Sequence, residues 1–120
     1  MRRLEFLLIG LLAFGGTGHL VGTLTEYSLG SEVFVWSLTA VCYVYLLVFL
    51  QLLRMFRPDD RPVMVAATIA TLAWLGLALA FGAAIGNIAD FRALMHAGVS
   101  AALLMTTFLA GERRPVPSRS

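Results

Sequence analysis

The sequence contains no lysine, a single cysteine and few charged residues of either sign. Charged residues occupy 13% of the 120 positions, about half the share found in a typical soluble domain. One cysteine excludes an intrachain disulfide and every CxxC redox or zinc motif. The nine arginines lie near the ends of the chain, in one loop and beside another. They form no basic stripe of the kind that follows a phosphate backbone, so nucleic-acid binding is excluded.

Apolar residues account for 59% of the chain, which excludes intrinsic disorder as its general state. They are concentrated in four stretches, at about residues 6–25, 33–53, 63–85 and 91–110. Each has roughly the ~20 residues that an α-helix needs to cross the hydrocarbon core of a bilayer. None shows the alternation of a barrel strand. The sequence therefore predicts an all-α integral membrane protein, with four transmembrane helices in an up-down-up-down bundle.

The connections between the stretches are short and carry helix boundary signals. Ser31 is the expected N-cap of the second helix, Gly86 marks the end of the third, and Asp90 is the expected N-cap of the fourth. Residues 1–110 are thus expected to form one bundle. Residues 111–120, rich in proline and arginine, are expected to be a disordered cytoplasmic tail.

The distribution of arginine predicts the orientation. If the helices alternate across the membrane, one side holds eight of the nine arginines, and the other holds Glu26, Glu32, Asp90 and only Arg92. Because basic loops stay in the cytoplasm, both termini are predicted to be cytoplasmic. The predicted location is the cell membrane, and specifically a bacterial inner membrane.

Small residues recur at four-residue spacing, which is typical of closely packed transmembrane helices. Most of them are expected to lie in seams between helices of one bundle. The alternative is that one stripe binds a second copy of the chain or another membrane protein. The predicted packing positions are Gly18 and Gly22 in the first helix, Gly82 and Gly86 in the third, and Ala93 and Ala97 in the fourth.

The two histidines, His19 and His96, are the most informative polar residues. At ~1.5 Å per residue, both lie about 7–9 Å below the same end of the bundle. The first and fourth helices are neighbours in a closed bundle, so both rings are expected to enter one site. Four polar residues on the same helix faces extend this site into a predicted polar wedge: Thr23, Glu26, Arg92 and Ser100.

Several uses of these histidines remain open. Axial ligation of a b-type haem by His19 and His96, beside the glycines around His19, resembles the membrane cytochromes b, whose haem ligands come from bundle helices beside small residues. A transition-metal ion bound by the same pair, with Glu26 or Asp90 as a further ligand, is a second use. A third is proton or substrate handling. The structural alternative is that each ring bonds to the next helix.

Chemical motifs are scarce. The sequence has no nucleotide-binding loop, no Ser-His-Asp set and no paired carboxylates in the spans, which disfavours a hydrolase or an ATPase. The favoured hypothesis is a non-enzymatic protein of the lipid bilayer that acts as an accessory subunit or in a homo-oligomer. The alternatives are a haem- or ligand-binding redox bundle, and a small transporter or channel that opens outward through the wedge.

Overall fold

The structure, a computed structural model, describes the backbone of residues 1–112 and the side chains of residues 1–110. Four helices account for nearly all of this range: α1 (Arg2–Glu26), α2 (Glu32–Phe56), α3 (Arg61–Ala84) and α4 (Phe91–Glu112). Each is long and apolar enough to span a membrane, which confirms the predicted fold class of a four-helix membrane bundle. Of the predicted tail, residues 113–120 lie outside the described residues.

The four helices form a closed ring. Both α1 and α3 contact α2 and α4, and within residues 1–112 no contact joins the diagonal pairs. Successive helices therefore run in opposite directions. One end, here called the arginine-rich end, carries Arg2, Arg3, Arg54, Arg57 and Arg61; the opposite, acidic end carries Glu26, Glu32, Asp90 and Arg92.

The helix boundaries follow from local hydrogen bonding. The hydroxyl of Ser31 accepts a bond of 3.2 Å from the backbone N–H of Phe34, as expected for an N-cap. Gly86 ends α3 with a positive φ of 68°, a conformation that an L side chain rarely adopts. Its N–H donates to Ala83 O and that of Asn87 to Gly82 O, so the last carbonyls of the helix are satisfied.

Large aliphatic side chains fill the centre of the ring. Leu12, Val44, Leu47 and Leu103 are at most 1% exposed, while Phe14, Ile69 and Phe108 on the outer surface are more than 60% exposed. This pattern suits a bundle surrounded by lipid, because an outward-facing apolar side chain costs nothing there. The polar side chains that lie inside the ring are therefore the features that need an explanation.

Candidate functional site

His19 belongs to a small hydroxyl cluster between α1 and α2. Its Nε2 lies 3.3 Å from Ser37 Oγ, which in turn lies 2.7 Å from Thr23 Oγ1. The hydroxyl proton of Thr23 is donated to the carbonyl of His19, at 2.8 Å. Ser37 must therefore donate to Thr23 and accept from His19, so the neutral His19 ring carries its proton on Nε2. Ser37 is the partner that sequence analysis missed.

His96 is more deeply buried than His19, and its ring lies against Trp74 of α3. The indole N–H of Trp74 donates to His96 Nδ1 at 3.2 Å, and the two rings meet edge to face. Tyr43 stacks on Trp74 and donates its hydroxyl to the carbonyl of Ala70 at 2.9 Å. Because an indole nitrogen only donates, Nδ1 of His96 is an acceptor and the neutral ring carries its proton on Nε2.

The two histidines meet different neighbours. A Cβ added to Gly15 of α1 would lie 2.8 Å from Cε1 and 3.0 Å from Nε2 of His96, so this edge of the ring abuts the α1 backbone. Gly15 precedes His19 by one helical turn, about 5.4 Å along the axis. His96 therefore contacts α1 one turn further from the acidic end than His19, whose ring is bonded to α2.

The other residues of the predicted wedge have separate partners. Thr23 joins the His19 cluster, and Glu26 is exposed at the last position of α1. Arg92 pairs with Asp90 at the acidic end through contacts of 2.9 and 3.1 Å, and these hydrogen bonds lower the pKa of the Asp90 carboxyl. Ser100 is fully buried, and its hydroxyl has no hydrogen-bond partner within the described residues.

The histidine pair does not fit axial ligation of a haem. Nδ1 of His96 is already an acceptor for Trp74, and Nε2 holds the remaining proton, so the neutral ring has no free lone pair for iron. The close approach of its Cε1–Nε2 edge to Gly15 leaves no space for a macrocycle on that side. Among the described residues there is also no group of three His, Cys, Asp or Glu side chains that would hold a metal ion.

The predicted packing residues divide into two sets. Gly82 of α3 lies against Ala93 of α4, since an added Cβ would come within 3.2 Å of the alanine Cβ, and Ala97 is buried in the bundle. Gly18 and Gly22 of α1, and Gly86 after α3, have nothing within 4 Å of an added Cβ, so they are not packing positions of this bundle. The close contacts of α1 are instead made by two neighbouring glycines, Gly15 against α4 and Gly16 against Val44 of α2.

A buried polar network near the arginine-rich end was missed by sequence analysis. Arg54 of α2 donates from Nη2 to Glu5 of α1 and from Nε to Gln51 Oε1, both at 2.9 Å. Gln51 donates to Thr71 of α3, and all four side chains belong to residues no more than 7% exposed. The available signal was Gln51, the only glutamine of the chain, three residues before an arginine in an apolar run.

Searches against protein-family models, curated proteins and solved structures find no match.

Proposed function

We propose that this is a non-enzymatic accessory protein of the membrane, and that it assembles with a second copy of itself through α1. The observation that carries this proposal is the open backbone at Gly18 and Gly22, which the bundle does not use for its own packing. The two glycines are four residues apart, the spacing that lets two transmembrane helices cross at close range.

The surroundings of this face support self-association. Phe14 and Val21 stand on one side of the glycines and are 75% and 55% exposed, so a ridge borders the flat strip. A symmetric dimer brings the same strip together from both copies, which makes one such motif sufficient. Because lipid supplies no hydrophobic drive, close backbone packing is the main source of affinity.

The proposed setting is a bacterial inner membrane with both termini in the cytoplasm. The support is the charge difference between the two ends: Arg2, Arg3 and the loop after α2 at one end, and mostly carboxylates at the other. A protease-protection or reporter-fusion assay on the termini tests this orientation.

The oligomeric state in lipid nanodiscs or mild detergent, measured by light scattering, tests the assembly. We expect a dimer for the wild type and a monomer for the Gly18→Leu/Gly22→Leu variant. Gly98→Leu is the matched control, because Gly98 on α4 is equally open but has no partner glycine four residues away. If Gly76→Leu on α3 dissociates the assembly and the α1 variant does not, the wrong face has been assigned.

A second candidate function is a small transporter or channel. It is favoured by buried ionisable groups at three depths of the interior: the Glu5–Arg54 pair, His96 and, half-buried, His19. Ionisable residues are costly inside a bilayer and often mark proton or ion paths. Flux into proteoliposomes that falls with His96→Phe but not with the exposed Thr25→Val supports it, and equal flux in both variants excludes it.

A further inference from the structure

A cavity of about 500 Å³ opens at the arginine-rich end, between the start of α1 and the ends of α2 and α4. Its polar wall is formed by Arg2, Glu5 and Arg54, and its apolar wall includes Met64 and Thr107. The side chains of the walls thus carry two positive charges against one negative charge. Glu5 and Gln51 bond Nη2 and Nε of Arg54, and its Nη1 group is bonded by neither.

A second, apolar groove of about 260 Å³ adjoins this cavity. The two share Met64 and Thr107, and the groove continues between α3 and α4 along Thr68 and Ile69. From Met64 to Ile69 it follows the helix for about 7.5 Å into the membrane.

The two threonines of the groove do not make it polar. Thr68 donates its hydroxyl to Met64 O and Thr107 donates to Leu103 O, both at 2.8 Å, so their hydrogen-bonding capacity is directed to their own helices. What these residues leave for a ligand is mainly apolar surface. The groove is therefore suited to a hydrocarbon chain, and the adjoining cavity to an anionic group.

We propose that the cavity and the groove together bind one anionic phospholipid from the leaflet at the arginine-rich end. The phosphate lies at Arg2 and Arg54, where guanidinium groups match its geometry, and one acyl chain lies along Thr68 and Ile69 between α3 and α4. Glu5 holds Arg54 in place from the opposite side, through the 2.9 Å contact. This site is independent of the proposed α1 interface.

Native mass spectrometry of the intact protein, titrated with phosphatidylglycerol or phosphatidylcholine, tests the site. We expect the wild type to retain phosphatidylglycerol about fivefold more strongly than phosphatidylcholine. Arg2→Gln removes most of this preference. Arg3→Gln, the matched control, keeps it, because Arg3 is exposed outside the cavity. Equal retention of the two lipids, or equal losses in both variants, overturns the proposal.

The acyl chain is tested separately by blocking the groove. Thr68→Trp fills it and is expected to weaken retention of both lipids several-fold. Thr39→Trp is its control, since Thr39 also donates to its own helix but lies on the exposed face of α2. If Thr68→Trp retains lipid like the control, or if inorganic phosphate displaces the lipid completely, the site binds a headgroup alone and the proposal is wrong. Thermal unfolding checks that every variant is folded.

Discussion

Arg54 Nη2 and Glu5 Oε1 lie 2.9 Å apart across the α1–α2 interface, and their side chains are only 8% and 10% exposed. Helix α1 begins at the arginine-rich end and α2 ends there, so residues 49 positions apart in sequence meet at one depth. A buried charge without its partner is strongly destabilising, whereas the pair as a whole is near neutral in stability. The contact therefore fixes the register of α1 against α2 more than it adds free energy.

The first prediction concerns this pair. Glu5→Leu leaves the charge of Arg54 unpaired and is expected to lower the free energy of unfolding by about 3 kcal/mol. The double variant Glu5→Leu/Arg54→Met is expected to recover most of that loss. Titration with a denaturing detergent, followed by circular dichroism, measures both. Arg3→Gln is the control at an exposed position. If Arg3→Gln loses as much stability as Glu5→Leu, the buried pair is not the cause of the loss.

The second prediction concerns two glycines of α1. Alanine at Gly15 meets the end of the Met95 side chain and then the ring of His96 at 2.8 Å, so Gly15→Ala is expected to cost about 1–3 kcal/mol of stability through overpacking. Gly10 has open space around it, and Gly10→Ala is expected to be neutral or to stabilise by up to ~1 kcal/mol through helix propensity. The same unfolding assay decides, and equal effects at the two positions refute the assigned α1–α4 contact.

Local signals in the sequence predicted the helices well, because caps and glycine ends depend on nearby residues. Ser31 and Gly86 act at the predicted boundaries. The depth match of His19 and His96 was less informative, since equal distances from helix ends do not fix how two helices are offset. The bond from Trp74 to His96 depends on that offset. Apolar pattern and length alone did not reveal it.

The same limit applies to the glycine stripes. Gly15, Gly16, Gly18 and Gly22 all lie in one segment of α1, and spacing favoured the last two as packing residues. Spacing describes a face but not its neighbour. The direction of each face became known only with the positions of α2 and α4 around α1.

The third prediction concerns the protonation of the histidines. In the neutral state both rings are expected to carry the proton on Nε2, which nitrogen-15 spectroscopy of labelled side chains distinguishes from the other tautomer. Trp74→Phe removes the donor to His96 Nδ1 and is expected to shift the signal of that nitrogen only.

The purified protein is expected to show no Soret band. A band that His19→Ala or His96→Ala abolishes refutes this arrangement.

The fourth prediction concerns acid stability at the start of α4. Arg92 lowers the pKa of Asp90 in the folded protein, so the stabilisation by this carboxylate is present above the unfolded pKa of ~3.9 and is lost as the pH falls through the lower folded value. Asp90→Asn keeps an acceptor for the backbone but lacks the charge. The difference in free energy of unfolding between wild type and Asp90→Asn is expected to shrink at acid pH. A difference that stays constant down to pH ~2 contradicts the stabilising role of the Asp90 carboxylate.

Cysteine crosslinking of α1 in native membranes, in a Cys42→Ala background, tests directly whether two copies of the chain assemble through this helix. Thr25 lies seven residues after Gly18 on the same helix face, while Leu24 is equally deep but about 100° away. We expect Thr25→Cys to give an oxidised dimer of two identical chains and Leu24→Cys to give none. Adding Gly18→Leu/Gly22→Leu to Thr25→Cys is expected to abolish the dimer. Crosslinking of both cysteines alike, or of neither, contradicts the claim that the protein assembles through α1.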